Sequence, residues 1–226
     1  MPKISCIIPA YNEGPRIGTI LGVVYDHPLI DEIIVVDDGS KDNTKDIVKK
    51  FEGVQLIVHE KNKGKSQTVA DGLVRSKGDI IFLLDADLIG LTAKDVSDLI
   101  EPVFSGKADI SISLRKNSPW LFRKIGLDFI AGERVFLKKL VHNRLDEIRR
   151  LPNFGLEVYM NKLIIKNKYR IKIVFWRNVI SPWPYKKRSL LLGLKSFLFM
   201  IVDILSTISV FEMARQLIRM SSLRVK

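Results

Sequence analysis

Short apolar runs alternate with amphipathic segments along most of the chain. Six runs have the length and β-branched composition of strands: residues 4–8, 33–36, 55–59, 80–84, 109–114 and 170–176. Between them, apolar residues recur at helical spacing and predict helices near 14–25, 43–51 and 66–76, and from Thr92 to 104. Thr92 and either Asp42 or Asn43 are expected as N-caps. Strands that alternate with helices imply a parallel sheet with helices on both faces.

Polar side chains follow three of these strands. Asp85 and Asp87 come directly after the fourth, Asp38 ends the second, and Tyr11 follows the first. Because ligands of open α/β sheets bind beyond the carboxyl ends of the strands, these residues should face one crevice. A carboxylate pair there suits Mg²⁺ or Mn²⁺ bound together with phosphate oxygens, although an Asp-Ala-Asp can also be a helix cap and a turn. With Tyr11 as an aromatic face for a base, the residues predict a nucleoside diphosphate site.

The same stretches resemble the family 2 glycosyltransferases of GT-A fold. The matching strings, in the family's order, are CIIPAYNE (6–13), VVDDGSKDNT (35–44), NKGKSQTVADGL (62–73) and LLDADL (83–88). The resemblance implies a Rossmann-like, mostly parallel α/β sheet and transfer of a sugar from a UDP- or GDP-linked donor with Mg²⁺ or Mn²⁺. It also implies residue roles: Pro9, Tyr11, Glu13 and Asp38 line the nucleoside pocket, Lys65 approaches the diphosphate or sugar, Asp85 contacts the ribose or sugar, and Asp87 binds the metal.

The second half of the chain is expected to bind the acceptor. AGERVF (131–136) and PNFGLEVY (152–159) resemble short stretches of glucosyl-3-phosphoglycerate synthases and, more loosely, of polyprenyl-phosphate sugar transferases. Glu133 and Glu157, in these strings, could each bind an acceptor hydroxyl or take its proton, or could be acids at helix starts. With Asp85 they are the candidate catalytic residues.

Many GT-A enzymes complete the metal shell with a late histidine, but the corresponding stretch here, 178–188, contains none. Water or phosphate could take that place. Trp183 and Tyr185, which precede a basic run at 186–188, could instead cover the donor or meet a membrane surface. The three histidines of the chain need no metal to explain them.

The net charge of +12 is concentrated near the C-terminus. Residues 160–226 contain 14 Lys or Arg and two acids, so the first 159 residues are neutral. A basic tail indicates an anionic partner, such as phospholipid or a phosphorylated acceptor. Nucleic acid is not expected, because no zinc-finger spacing, RNA-binding aromatic signature or helix-turn-helix pattern accompanies the charge.

Three regions are predicted: residues 1–106 bind the nucleotide sugar, 107–188 form the acceptor half, and 189–226 form an apolar, amphipathic helical tail. The apolar run 196–211 contains Asp203 and is shorter than the ~20 residues that a membrane span needs. The tail could therefore lie on a membrane, form a homo-oligomer interface, or pack back onto the catalytic domain.

A single cysteine, Cys6, and the lack of a readable signal peptide predict a cytoplasmic protein, with peripheral attachment to the inner face of the membrane as an option. Two other functions compete with glycosyl transfer. One is a non-catalytic membrane or interaction protein that retains the sheet. The other is a sugar-phosphate nucleotidyltransferase, which the absence of a glycine-rich N-terminal phosphate loop disfavours.

Overall fold

The computed structural model describes residues 2–152, 155–182 and 208–225. Their backbone forms one seven-stranded sheet in the order β3-β2-β1-β4-β6-β5-β7. The strands are β1 (Ile4–Ala10), β2 (Glu32–Asp37), β3 (Gln55–Val58), β4 (Ile80–Leu83), β5 (Ile110–Arg115), β6 (Arg134–Leu137) and β7 (Ile171–Trp176). All neighbours pair in parallel except β6, which runs antiparallel to both β4 and β5. The predicted mostly parallel α/β sheet is confirmed.

Helices cover both faces of this sheet. They are α1 (Gly14–Val24), α2 (Thr44–Val48), α3 (Lys65–Arg75), α4 (Ala93–Phe104), α5 (Trp120–Ile125), α6 (Leu145–Arg149), α7 (Gly155–Asn167) and α8 (Val210–Ser222), with 3₁₀ turns at Lys138–Leu140 and His142–Arg144. One layer packs α1 and α4 against the side of β1 that carries Ile4, Cys6 and Ile8. The other packs α3 and α7 against the side that carries Ile7. Strands buried on both faces explain the continuous apolar runs.

The sheet brings three strand ends together, as the sequence predicts. In the β1–β2 pair Ala10 lies opposite Asp37, and in the β1–β4 pair Ile7 lies opposite Leu83, so the chain leaves all three strands at one edge. The Thr92 cap is confirmed as a full capping box with Asp95. At α2 the N-cap residue is Asn43, but the carboxylate of Asp42 accepts the hydrogen bond from the Thr44 amide, at 3.0 Å.

Several elements differ from the prediction, among them the short helix α6, which is not predicted. Helix α2 ends at Val48 and continues as turns, whereas the pattern predicts a helix to residue 51. Strand β6 and helix α5 are not predicted at all. The four residues of β6 begin with a fully buried arginine, Arg134, and a charged residue in a short run does not indicate a central strand. The six residues of α5 are too few to display a helical period.

The described part of the tail, residues 208–225, packs onto the rest of the fold. Ile208 and Met220 are buried, and Gln216 of α8 donates a hydrogen bond to the Val158 carbonyl of α7, at 3.1 Å. The chain end then pairs with β7, because the Ile171 amide donates to the Leu223 carbonyl at 2.9 Å. Of the three alternatives for the tail, packing back onto the domain holds for this part, while residues 189–207 lie outside the described chain. Among the residues that the structure describes, no helix is both long and apolar enough to cross a membrane.

Candidate active site

Lys65 connects the two halves of the predicted site. As the first residue of α3, it extends its ammonium group to Asp85 Oδ1, at 2.9 Å, and to Glu157 Oε1, at 3.0 Å. Burial works against the lysine charge, but the two carboxylates outweigh it and hold the pKa of Lys65 above its ordinary value. Lys65 is therefore a cation at neutral pH, and it joins the end of β4 to the first turn of α7.

Gly132 makes the close approach of Lys65 and Asp85 possible. A Cβ atom at this position would lie 2.6 Å from Asp85 Oδ2 and 2.7 Å from Lys65 Nζ. Real Cβ atoms essentially never make contacts this short. An alanine in place of the glycine of the AGERVF string would therefore displace the ends of both side chains.

Asp87 lies beside this pair and contacts a different part of the chain. The Ser181 hydroxyl donates a hydrogen bond to Asp87 Oδ2, at 3.3 Å. Ser181 follows β7 in a segment that is held next to the end of β4 by the bridge between Ile89 and Ile180. In the described portion of 178–188 a serine, and no histidine, therefore reaches Asp87. Trp183 and Tyr185 lie outside the described residues.

The donor set around Asp87 fits a hard divalent cation. Within residues 2–152, 155–182 and 208–225, no three His, Cys, Asp or Glu side chains converge as a metal-binding group. A cation here would rely on Asp87, with Asp85 adjacent, and on phosphate oxygens and water. That is the usual way in which Mg²⁺ is held at phosphate-binding sites, through one or two carboxylates and the substrate.

A second cation, Arg115 at the end of β5, lies in the region predicted to bind the acceptor. Its Nη1 donates to Glu133 Oε1 at 2.9 Å, and its Nη2 lies 3.6 Å from Asp128 Oδ2. Burial disfavours its charge, but Glu133 and Asp128, followed by Asp85 and Asp87, raise the pKa of Arg115 above its ordinary value. The Arg115 Nε atom is buried and has no hydrogen-bond partner in the described part of the chain.

Glu133 is fully buried and directly precedes β6. Its second oxygen, Oε2, accepts a 2.6 Å hydrogen bond from Ser113 Oγ, so both oxygens have partners. Burial raises the pKa of Glu133, while Arg115 acts in the opposite direction. These contacts favour a role in positioning Arg115, and direct contact of Glu133 with an acceptor stays a prediction.

Arg134 connects the loop before β6 to helix α7. Its guanidinium donates to the carbonyls of Ala131 and Phe129, at 2.8 and 2.7 Å, and to Asn161 Oδ1, at 2.8 Å. Burial lowers the pKa of Arg134 from its ordinary value, although an arginine remains charged at neutral pH. This one side chain fixes both the loop that carries Gly132 and the helix that carries Glu157.

On the nucleoside side, Asp38 organises the loop that precedes α3. Its two oxygens accept hydrogen bonds from the backbone amides of Lys63, at 2.8 Å, and Gly64, at 2.9 Å. Gly64 has a φ of 93°, a conformation that favours glycine, and it directs the chain into α3. Asp38 thus fixes the position of Lys65, and its predicted contact with a nucleoside stays a prediction.

His59 joins Asp38 to the outer helices. Its Nδ1 lies 2.7 Å from Asp38 Oδ1 and its Nε2 lies 3.1 Å from Asp71 Oδ2. Asp71 also accepts a hydrogen bond from Arg149 of α6, at 3.0 Å. The imidazole therefore links the loop that Asp38 organises to α3 and α6.

The loop after β1 places the other predicted nucleoside residues. Pro9 lies opposite Val36, one residue before β1 ends at Ala10, and Tyr11 is partly exposed just beyond the strand. Asn12, with a φ of 54°, both donates a hydrogen bond to the loop 38–44 and accepts one from it. The two loops are therefore held together. Glu13 turns toward Arg16, which donates to it at 2.6 Å.

The structure therefore brings Asp85, Asp87, Lys65 and Glu157 together, with Asp38 one loop away. Several contributors are absent from the prediction, among them Arg115, Arg134, Ser181 and His59. Arg115 directly follows a predicted strand, as Asp37 does. Its position at a strand end could therefore have indicated that it belongs to the site. The partners of Ser181 and His59 are distant in sequence and leave no local pattern.

Comparisons with known proteins give the family. The sequence profile of Glycosyl transferase family 2 matches residues 5–166, the greater part of the chain. The chain is 28% identical to the UDP-N-acetylglucosamine–dolichyl-phosphate N-acetylglucosaminyltransferase of Methanococcus voltae, over 86% of its own length and 93% of that protein. It is 40% identical to a dolichyl-phosphate β-glucosyltransferase of Trichomonas vaginalis, but over 42% of the chain and only 32% of that relative.

Among solved structures, the fold is similar to that of glucosyl-3-phosphoglycerate synthase from Mycobacterium tuberculosis, crystallised with Mn²⁺, UDP and glucosyl-3-phosphoglycerate. The TM-score is 0.71, the identity is 21%, and the match covers 91% of this chain and 80% of that one. At this identity the likeness concerns the fold. Together with the profile match and the carboxylates at the end of β4, it establishes that the chain belongs to glycosyl transferase family 2 and is a glycosyltransferase of GT-A fold.

Proposed function

We propose that the enzyme transfers a sugar from a UDP-linked donor to the phosphate of a polyprenyl lipid, with Mg²⁺ or Mn²⁺ bound at Asp87. The observation that carries the proposal is the contact of Lys65 with Asp85, at 2.9 Å, beside Asp87 at the carboxyl end of β4. The M. voltae relative, whose name gives a UDP-linked donor and a dolichyl-phosphate acceptor, supports both substrates. GDP-linked donors and small phosphorylated or hydroxyl acceptors are the alternatives.

The donor would lie across the ends of β1, β2 and β4. Tyr11, with Pro9 and Glu13, would border the base and ribose, and Asp38 would accept a hydrogen bond from them. Lys65 would face the diphosphate or the sugar, since its ammonium is held in its charged form by two carboxylates. This arrangement follows the rule that ligands of open α/β sheets bind beyond the carboxyl ends of the strands.

A bound divalent cation would supply positive charge that stabilises the leaving nucleoside diphosphate. The chain itself would supply Lys65 and, on the acceptor side, Arg115, whose charge suits a phosphate group. In the transfer, an acceptor oxygen forms a bond to the anomeric carbon while the bond from that carbon to the diphosphate oxygen breaks. A phosphate monoester carries a negative oxygen at neutral pH, because its second pKa is about 6, so this nucleophile needs no base to remove a proton.

This explains why the two acceptor-side glutamates are already engaged. Glu133 is bonded to Arg115 and Ser113, and Glu157 is bonded to Lys65. We place both in the catalytic centre as carboxylates that hold the cations which bind substrate. A lipid acceptor also implies that the enzyme works as a peripheral protein on the inner face of the membrane, in contact with the cytoplasm.

The test compares acceptors that differ only in the phosphate. Donors are first selected by thermal shift with Mn²⁺ from UDP- and GDP-linked sugars, and transfer is then measured to a polyprenyl phosphate, the matching polyprenol and glycerol 3-phosphate. We expect a UDP-sugar as donor and transfer to the polyprenyl phosphate alone. Equal transfer to the polyprenol would contradict the phosphate acceptor, and selection of GDP-sugars would contradict the donor.

A further inference from the structure

Helix α5 extends from the acceptor side of the site. The residues at its two ends are joined, because Ser118 Oγ, just before the helix, donates to Asp128 Oδ2, just after it, at 2.7 Å. The Arg115 amide donates to the same Ser118 hydroxyl, at 3.2 Å, and the Arg115 guanidinium lies 3.6 Å from Asp128. The segment 119–127 is therefore a short loop and helix. The residues at its two ends contact Arg115, the cation that we assign to the acceptor phosphate.

The inner side of α5 is firmly packed. Phe122 contacts Phe129 edge to face, with ring centroids 5.2 Å apart, and Ile125 packs against the same core. The helix ends at Gly126, whose φ is 74°. Arg224, from the chain end, donates to the carbonyls of Ile125 and Gly126 at 2.9 and 3.1 Å. The position of the helix is thus fixed, and its outer side is presented in a defined orientation.

The outer side combines apolar and basic residues. Trp120 is 68% exposed and Leu121 is 44% exposed. Arg123 and Lys124 are also exposed, and in the described part of the chain neither forms an ion pair with an acidic side chain. Two large apolar side chains and two cations therefore face solvent on six residues.

We infer that α5 is a membrane-contact element that inserts Trp120 and Leu121 into the interface of an anionic lipid surface. Tryptophan is enriched at membrane–water interfaces, where its ring is apolar and its N–H remains hydrated. Arg123 and Lys124 would lie among anionic headgroups, a charge match that no acid on the helix opposes. The benefit of this contact rests on the proposed function, because it would bring Arg115 close to the plane in which a lipid phosphate lies.

Helix α8 carries a second exposed patch of apolar and basic residues. Arg224, which follows α8, donates to the end of α5, and the outer side of α8 exposes Phe211 and Ile218, with Arg215 between them at helical spacing and paired with Glu212 at 3.5 Å. Its inner side holds Gln216 and Met220 against the domain. A second short helix with apolar and basic residues outside favours a broad lipid surface over a small protein contact.

The experiment measures sedimentation of the full chain with phosphatidylcholine–phosphatidylglycerol vesicles and with phosphatidylcholine vesicles alone. The test variants are W120E/L121E and, separately, R123Q/K124Q. The matched control is V58E/V74E, which adds the same charges at two exposed apolar positions on β3 and α3, near the opposite edge of the sheet. Circular dichroism and light scattering report folding and association, and UDP binding is measured without vesicles.

We expect the wild type and V58E/V74E to bind anionic vesicles, and W120E/L121E to lose binding at least about tenfold because it removes the inserted side chains. R123Q/K124Q should weaken binding about fivefold for each cation, which corresponds to ~1 kcal/mol per basic residue at an anionic surface. Equal binding by W120E/L121E and the wild type overturns the inference, as does a wild type that ignores vesicles. A wild-type oligomer that W120E/L121E dissociates would show that the surface contacts a second copy instead.

The two proposals fail separately. A chain that binds UDP with Mn²⁺ but no vesicles refutes only the membrane contact. A chain that binds vesicles through Trp120 but no nucleotide refutes only the proposed substrates.

Discussion

The substitution Gly132→Ala tests the geometry of the site with a single methyl group. The new Cβ would lie 2.6 Å from Asp85 Oδ2 and 2.7 Å from Lys65 Nζ, whereas ordinary contacts begin near 3.4 Å. The carboxylate and the ammonium must therefore move by about 0.8 and about 0.7 Å. Both are ends of partly exposed side chains, so the backbone need not shift, and the free energy of unfolding should change by less than about 1 kcal/mol.

The effect on catalysis should be much larger. A misplacement of about 1 Å in a substrate-positioning group can lower the rate by about 10²-fold. We expect Gly132→Ala to reduce kcat/KM for sugar transfer by about that factor, and to weaken UDP binding in calorimetry. Urea denaturation, followed by circular dichroism, checks that the variant is folded.

The matched control is Gly22→Ala, since a Cβ there meets no heavy atom within 4 Å. Gly22 lies inside α1, where alanine should stabilise the protein by about 0.5–1 kcal/mol and leave transfer unchanged. If Gly132→Ala kept kcat/KM within twofold of the wild type while folded, the assigned roles of Lys65 and Asp85 would be refuted.

Three further changes test other parts of the molecule. His59→Gln should weaken UDP binding about fivefold, the equivalent of one lost hydrogen bond of ~1 kcal/mol, because Asp38 then holds its loop less firmly; unchanged affinity in calorimetry would contradict this. Arg134→Met should lower the free energy of unfolding by about 3–5 kcal/mol, since it leaves buried carbonyls without a donor; an unshifted urea midpoint would show that the guanidinium stabilises nothing. Burial works against the Asp42 charge, but hydrogen bonds from Thr44 and a backbone amide outweigh it and hold the pKa of Asp42 below its ordinary 3.8. The stabilisation by Asp42 is present above pH 3.8 and is lost as the pH falls through the lower, native pKa. Asp42→Asn should therefore flatten the acid side of the plot of unfolding free energy against pH. Identical pH profiles of the two proteins would refute the assignment.

The fold and the position of the carboxylates at the strand ends could be predicted because both follow from local signals. Strands such as β2 and β4 are buried on both faces and read as continuous apolar runs. Parallel strands place their carboxyl ends at one edge, so the sequence alone assigns Asp38, Asp85 and Asp87 to one crevice.

The contacts in the second half of the chain could not be predicted in the same way. Arg134 is fully buried in a central strand, although arginines are mostly exposed. For this reason the sequence pattern does not predict β6. Its burial becomes tolerable only because carbonyls and Asn161 satisfy its donors. The contact between Lys65 and Glu157 joins residues that are far apart in the chain, and no periodicity encodes it.

For the tail, the sequence is compatible with several kinds of packing. Apolar faces with basic residues suit a membrane, a subunit interface or a domain core equally well. The packing of Met220 and the hydrogen bonds of Gln216 decide the matter for the inner side of α8. Its exposed outer side, with Phe211 and Ile218, could be found only once the inner side was known.

The central claim is that Asp87 and its neighbours bind a nucleoside diphosphate together with a divalent cation. Calorimetric titration of UDP into the wild type, Asp87→Asn and Asp98→Asn, each with Mn²⁺ and with a chelator, tests it most directly. Asp98 is a matched control, because it lies on the exposed side of α4 and pairs only with Lys94 among the described residues. We predict that Mn²⁺ strengthens UDP binding by the wild type and by Asp98→Asn, and that Asp87→Asn loses this gain while remaining folded. The same Mn²⁺-dependent affinity in Asp87→Asn and in the wild type would contradict the account.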